Sequence, residues 1–502
     1  MPRFRVITSP SPWIGILGLV VLGCSAATPR LSAQDSARKF TLVYNVNNAG
    51  YIDVCGCKHK EVRQGSITRR ASFLKQLRAT GRQICLLDGG SSLFAFEDRL
   101  KDAERDEAIR KAELIVEAYN RMGYQAMAVG SFDLVGGMDT LLALQKRAKF
   151  PFLSANVVDT KTKSLFFKPY TILETAGVKI GVIGLTLQTM DKVYLAKVAP
   201  TVEVTDPLQA AEKAAAELRG KVDLVVALSH LREEYNFDMI SKLKDLEIVI
   251  DPYIQYGNHH TWIKDDEWVS FRDATLVLRS DGQGARMGVL DVTVLSPHTG
   301  LVDEARLQEL EEASGAGKAS AEEATELAES RPKNRFLFQR VSLEPHLRTD
   351  PEMDKLLEEW KKKIDPSQVA RFEANLPRKD EFLTVEKCKT CHVKQYENWK
   401  NTKHSHAMAS LAETGDQHRY DCVGCHSLGY GEAYLDTSKI GVFADVQCES
   451  CHGTNAQHVQ DPKKFTFSKV ARGDCIVCHN KEQLRTEFNF AVAKPQVQCP
   501  KG

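Results

Sequence analysis

Eight cysteines and four histidines near the end of the chain share one repeated spacing. Cys-x-x-Cys-His occurs at Cys388-Lys-Thr-Cys391-His392, Cys422-Val-Gly-Cys425-His426, Cys448-Glu-Ser-Cys451-His452 and Cys475-Ile-Val-Cys478-His479. Two thiols three positions apart on a turn reach the two vinyl groups of one haem. The histidine that follows then lies under the iron and ligates it. The composition predicts about 0.01 such matches by chance in the whole chain, yet four stand within residues 388–479. Paired Cys-x-x-Cys also builds zinc ribbons, but those need no histidine directly after every second cysteine. The expectation is four c-type haems, with the eight cysteines as thioether anchors and His392, His426, His452 and His479 as proximal iron ligands.

Each iron needs a sixth ligand or keeps an open face. From residue 381 onward the chain holds four further histidines: His404, His406, His418 and His458. The run Trp399-Lys-Asn-Thr-Lys-His404-Ser-His406-Ala-Met-Ala-Ser-Leu, followed by Cys448-Glu-Ser-Cys451-His452-Gly and His458, resembles the tetrahaem cytochrome c family of nitrifying bacteria. The resemblance covers residues 381–480 and implies His406 and His458 as distal ligands. His404 points elsewhere on a helix, toward a different haem or toward solvent. His418 is a loop residue or a further distal ligand, and Met408 reads as packing. Two bis-histidine haems are expected. The others are high-spin or take a ligand that the sequence does not identify, and an open iron binds a small molecule where a closed one only passes electrons.

These sites need positioning elements, and the segment from 381 to 502 has few large apolar side chains to build them. A stretch of that size cannot bury four macrocycles in a protein core. The haems themselves must form the core of a mostly α domain. Upstream, the pattern changes. Strand-like runs at 40–46, 83–87, 125–129, 178–185, 222–228, 247–250, 274–278 and 287–295 alternate with amphipathic helical runs at 66–79, 102–122, 206–219 and 237–243. Such alternation points to a layered α/β domain.

The order of these elements resembles the calcineurin-like metallophosphoesterases, in particular the periplasmic 5′-nucleotidase family. The motifs behind this are Gly65-Ser-Ile-Thr-Arg-Arg-Ala, Leu86-Leu-Asp-Gly-Gly-Ser91, Gly130-Ser131-Phe132-Asp133, Leu228-Ser-His230 and Gly257-Asn258-His259-His260-Thr261. The resemblance implies a two-metal hydrolytic site, but most of its ligands differ here. Asn45-Val46-Asn47 stands where the family has Asp-x-His, and Ser91 stands for the bridging Asp. Ser131-Phe132 replaces Asn-His, and Asn258 replaces a His, so only His230 and His260 remain in register. Two neutral imidazoles cannot hold two hard cations, so hydrolysis is not expected despite the fold.

Thirteen cysteines are too many for a chain kept in a reducing compartment unless they hold cofactors. Outside the four motifs they are Cys24, Cys55, Cys57, Cys85 and Cys499. Cys55-Gly-Cys57 and Cys85 suggest a disulfide from Cys85 to one of the pair. The sharper alternative is one copper or zinc ion held by Cys55 and Cys57 with His59, His230 or His260. Cys499 reads as a free thiol in a polar tail.

Arg3 and Arg5 precede the apolar run 13–22 and the small residues Gly23-Cys24-Ser25-Ala26-Ala27, the layout of an export signal. Cleavage falls near Ala27 or Ala33, or Cys24 is lipidated after Val21-Leu22-Gly23 and anchors the chain to a membrane. Either outcome places the protein in the periplasm or cell envelope, where haem attachment takes place. A formal net charge of +1 gives no field that would select nucleic acid. The partners expected are redox proteins.

The expected organisation is therefore a signal at 1–27, a metallophosphoesterase-like α/β sandwich at 38–300, a helical linker at 301–380 containing the Glu/Ala-rich run 305–329, and a tetrahaem cytochrome c domain at 381–502. Three functions are compatible with it. They are electron transfer, a redox enzyme acting on a small nitrogen or sulfur species, and a working nucleotidase fused to a cytochrome.

Overall fold

The computed structural model describes residues 37–53, 65–95, 100, 102, 104–187, 192–252, 267–280, 282–366, 376, 382–467, 469–479 and 488–500. The described residues form two compact units. The first runs from 37 to 349 without 100–114, and the second comprises 100–114 and 350–500. Cys24, Cys55, Cys57, His59, Asn258 and His260 lie outside the described residues. Among the described residues no helix is long and apolar enough to cross a membrane.

The first unit is built on β1 (Arg38–Asn45), β2 (Ile84–Asp88), β3 (Ala126–Ala128), β4 (Phe152–Leu153), β5 (Val157–Asp159), β6 (Tyr170–Thr175), β7 (Val178–Thr186) and β8 (Val202–Val204). It continues with β9 (Leu224–His230), β10 (Ile248–Asp251), β11 (Val269–Arg272), β12 (Thr275–Arg279), β13 (Arg286–Val294), β14 (Leu301–Asp303) and β15 (Asn334–Ser342). One sheet has seven strands in the order β14-β15-β13-β1-β2-β3-β4, and the other has six in the order β11-β12-β10-β9-β7-β6.

The two sheets face each other, and the sequence periodicity shows why. Alternate residues Phe40, Leu42, Tyr44 and Val46 of the first sheet share one buried cluster with Val178, Ile180, Val182, Leu224, Val226, Leu228, Ile248 and Ile250 of the second. The intervening residues of the second sheet, Val225, Ala227 and Val249, pack against Ala211, Ala214 and Leu218 of the helix Pro207–Leu218 and Met239 and Ile240 of the helix Glu233–Lys242. Parallel strands covered on both faces read as continuous apolar runs, as Leu224–His230 does. All eight expected strands are present, with ends displaced by two residues at most.

Two expectations are corrected. Residues 301–380 are not wholly a helical linker, because β14 and β15 belong to the first sheet. β15 pairs antiparallel with β13 from Arg286↔Ser342 to Thr293↔Arg335, and Phe336 is fully buried in the core. The helices Glu304–Gly315 and Ala321–Ser330 form the exposed Glu/Ala-rich excursion between those two strands. Second, Cys85 is a free thiol rather than half of a disulfide. It lies within the sandwich core, where burial pushes it up to about 12.

In the second unit the described helices after residue 382 are short. Thr384–Cys388, Cys448–His452 and Arg472–Ile476 have five residues each, too few to persist in water without outside support. One small apolar cluster is present, of Leu411, Val423, Ala433 and Tyr434 with Phe382, Met408, Tyr430 and Phe443 packed on it.

Candidate functional site

Each Cys-x-x-Cys-His motif is coiled into one turn. The His392 N–H donates to the Cys388 carbonyl at 3.0 Å, and the His479 N–H to that of Cys475 at 2.8 Å. The second and third motifs lie within the helices Tyr420–His426 and Cys448–His452. This geometry puts both thiols and the imidazole of a motif on one side of a turn, as the spacing requires.

Two pairs of imidazoles lie close together with their ring planes nearly parallel. The rings of His392 and His458 have centroids 6.0 Å apart with 22° between their planes. Those of His404 and His479 are 6.1 Å apart at 29°. His458 thus meets the first motif, and His404, rather than His406, meets the fourth. His406 is exposed and close enough to Asp445 to act on its carboxyl, which burial raises and His406 draws back down. His418 is half-buried with Nδ1 3.0 Å from Thr437 Oγ1. His452 meets Phe467 edge-on at 6.2 Å.

The second ring nitrogens are also placed. His458 Nδ1 lies 2.6 Å from the Phe465 carbonyl, and His426 Nδ1 lies 2.7 Å from the Ala407 carbonyl. A carbonyl accepts only, so each Nδ1 carries the proton and each Nε2 presents its lone pair outward. Metal-bound histidines are held in this way. Thiols of different motifs also approach one another. Cys388 is hydrogen-bonded to Cys448, and Cys425 to Cys478. Cys475 and Cys499 both act electrostatically on Cys451.

The second motif has a charged surround that the sequence did not reveal. Asp421, next to Cys422, accepts from Lys111 Nζ at 3.2 Å and from Arg419 at 2.9 and 3.1 Å. Arg419 also bonds Asp416 at 3.1 Å, and Lys361 reaches Asp416 at 2.9 Å. Burial would raise the Asp421 carboxyl, but Arg419 and Lys111 hold it below the usual carboxylate range. Burial and Asp421 together push Glu107 up to about 8.

In the first unit, the residues matched to metal ligands gather at the carboxyl ends of β1, β2, β3 and β9, where α/β sheets place their sites. Here they bond to one another. His230 Nε2 lies 2.7 Å from Ser91 Oγ, and the Phe132 N–H donates to the same hydroxyl at 3.3 Å. Asn45 donates to Asp88 at 2.6 Å and accepts from the Tyr124 hydroxyl. Asp88 further accepts from Tyr119 at 2.7 Å, from Ser92 Oγ at 2.8 Å and from the Gly90 N–H at 2.8 Å. Arg70, fully buried, bonds Tyr119 at 3.0 Å and Asn48 at 2.6 Å. Asp133 takes four backbone N–H groups, from Gly130, Ser91, Ser92 and Leu93, and burial pushes it up to about 7.

The loops that carry these residues approach closely. A side chain at Gly130 would collide with Ser91 and lie 2.8 Å from the His230 ring. Asn47 and Ser91 both hold left-handed backbone, at φ 51 and 52°, which non-glycine residues adopt at a cost of about 1 kcal/mol. Such strain collects at functional loops. Among the described residues, no group of three or more His, Cys, Asp or Glu is arranged to hold a metal ion.

Comparison with known proteins divides the chain in the same way. Residues 387–453 match the family model for cytochrome c554 and c-prime, a span that includes the first three motifs. The N-terminal part is homologous to 5′-nucleotidases. A 5′-nucleotidase of Vibrio cholerae is 29% identical over 221 residues, covering 43% of this chain and 37% of that protein. Protein UshA of Yersinia enterocolitica is 34% identical over 160 residues, 31% of this chain and 28% of its own length. This chain therefore spans well under half the length of these relatives. Among solved structures, a 5′-nucleotidase precursor from Thermus thermophilus aligns with a TM-score of 0.47 at 18% identity, over 76% of this chain and 68% of that one.

The bonding at Asn45 yields a test. Asn45→Asp restores the acidic residue of the resemblance but removes the donor to Asp88, and it sets two buried carboxylates side by side. The expected cost is about 3 kcal/mol at pH 8, measured by urea denaturation. One carboxyl of the pair has its folded pKa raised, so the native state binds the extra proton. The stability loss shrinks as pH falls to 5 and grows as pH rises. Full recovery of stability on adding manganese or zinc would show instead that a metal site is intact.

Proposed function

We propose that the chain is an exported tetrahaem c-type cytochrome for electron transfer, carried on a phosphoesterase-like scaffold that does not hydrolyse phosphoesters. The observation that carries this reading is the two close, nearly parallel pairs of imidazoles, His392–His458 and His404–His479. Two imidazoles bound through Nε2 at about 2 Å on opposite sides of one metal stand end-on to it, with the metal in each ring plane and centroids about 6 Å apart. The measured 6.0 and 6.1 Å fit that requirement.

The residues present fit the implied group. Cys388, Cys391, Cys422, Cys425, Cys448, Cys451, Cys475 and Cys478 would anchor four haems, with His392, His426, His452 and His479 beneath the irons. Haem supplies reversible one-electron storage when bound. The chain's own part is to hold, orient and connect. Phe465 and Ala407 carbonyls fix the protonated Nδ1 of His458 and His426, which sets ring orientation and raises ligand basicity. The thiol contacts Cys388–Cys448 and Cys425–Cys478 set motif one against three and motif two against four. Cys475, beside Cys451, links motif four to motif three. These contacts favour a continuous relay in the order one, three, four, two.

The scaffold is proposed to be non-hydrolytic because neutral Asn45, Ser91 and Ser131 occupy the matched positions and His230 Nε2 already faces Ser91. A copper or zinc ion at His230 would first have to displace that hydroxyl. Export is proposed from the N-terminal signal pattern, with lipidated Cys24 as the alternative to simple cleavage.

Spectroscopy of two variants checks the ligand pairs. His458→Ala and His404→Ala should each convert one low-spin haem to high-spin in the absorption and EPR spectra, with covalent haem content unchanged, while His406→Ala leaves the spin balance as it was. Loss of a low-spin signal only in His406→Ala would contradict the pairing. A high-spin signal already present in the unmodified protein would favour the redox-enzyme reading.

Hydrolysis is checked separately. Nucleotides and aryl phosphates should be turned over at background rate with added manganese or zinc. Activity that His230→Ala abolishes would restore the nucleotidase reading.

A further inference from the structure

The face around the first motif differs from the other three. Of the eight motif cysteines, Cys391 alone is exposed, the rest being half-buried. His392 is exposed with it. Val393 and Val459, each directly following one member of the His392–His458 pair, are 57% and 56% exposed. Apolar side chains left in water beside a paired site are the usual centre of a recognition patch, with charge at its rim.

The rim here is mostly basic. Residues 387–403 and 455–472 contain nine lysines and arginines against two acids, Glu397 and Asp461, in a chain whose formal net charge is only +1. Lys387, Lys394, Lys403, Lys463 and Lys464 are exposed, while Lys400 is drawn to Glu397 at 3.5 Å. At the fourth motif Val477 is also exposed, at 73%, but there Arg472 and Asp474 flank it with opposite charges. Around the first motif the exposed apolar residues stand among mostly basic neighbours, since Glu386 and Glu397 are each drawn to a lysine, Lys389 at 2.6 Å and Lys400 at 3.5 Å.

We infer that this face, Val393 and Val459 within a lysine rim, is the docking surface for an acidic redox protein. The inference rests on the cytochrome reading above and adds to it the point of electron exchange and the charge of the partner. A basic rim steers an acidic partner during diffusion, and the two valines are desolvated when it seats. Steering of this kind raises association rates on the order of tenfold or more at low salt and fades as salt screens it.

The test uses the full-length haem-loaded protein. Lysine acetylation read by mass spectrometry, with and without an acidic blue-copper protein, should show Lys394, Lys463 and Lys464 protected while Lys221 and Lys318 of the first unit are not. In stopped flow, iron(II)–EDTA gives up one electron per chelate and becomes iron(III)–EDTA, with no proton transferred. The double variant Lys394→Glu/Lys464→Glu should slow this reduction about tenfold at low salt and speed reduction by cationic hexaammineruthenium(II). The control pair Lys221→Glu/Lys318→Glu should change neither rate. Equal effects from both pairs, or no protection by the copper protein, overturn the inference. Protection by anionic-lipid vesicles but not by the copper protein would overturn it in favour of a membrane surface. Haem content is measured in every sample. Four haems without charge selectivity defeats the docking inference alone, whereas absent haem defeats the cytochrome reading as well.

Discussion

Residues far apart in sequence, His392 with His458 and His404 with His479, must come within about 6 Å and lie nearly parallel. The rest of the second unit depends on this constraint. Three of its motifs lie on or beside five-residue helices, and among the described residues its apolar cluster gathers around the second motif. Side-chain packing of that extent cannot order four turns. Ligation across a shared metal and covalent tethering to it can, because each bond closes a long loop and holds a turn that would not persist alone. The second motif is the exception, since protein already encloses it. Asp421 is kept charged by Lys111 and Arg419, and Asp416 by Arg419 and Lys361. Asp416 and Asp421 each have cations against them, as burial demands, whereas burial and Asp421 push Glu107 up to about 8.

In the first unit the residues at the positions that the resemblance matches to metal ligands bond to one another. The strands still converge, and the loops still approach closely enough that Gly130 admits no side chain. The space is filled by bonds among the replacements themselves. Asn45 bridges Asp88 and Tyr124, Ser91 bridges His230 and the Phe132 N–H, and Arg70 neutralises the group through Tyr119. The fold of the 5′-nucleotidases is kept while its charge is tied up internally.

The sequence showed some of this and hid the rest for physical reasons. The repeated Cys-x-x-Cys-His spacing was legible because chance does not produce it four times within so short a segment. The central strands were legible because burial on both faces writes long apolar runs. β15 was not, since its burial alternates weakly and it follows two exposed helices. The closeness of His458 to His392 and of His404 to His479 depends on where loops bring them, which spacing cannot state. The loss of metal ligands at Asn45 and Ser91 could be read from residue type alone. That they bond to Asp88 and His230 could not, because those contacts join separate strands. Lys111 gave no signal at all. It is one lysine on an amphipathic helix, and only the fold sets it against Asp421.

The central proposal is that this chain carries four covalently bound haems on a non-hydrolytic phosphoesterase-like support. The most direct measurement is the intact mass of the exported, matured protein together with its haem content after acid–acetone extraction. The account predicts a mass increase equal to four haems, none of them extractable. Three or fewer haems, or haem that the solvent removes, would contradict it.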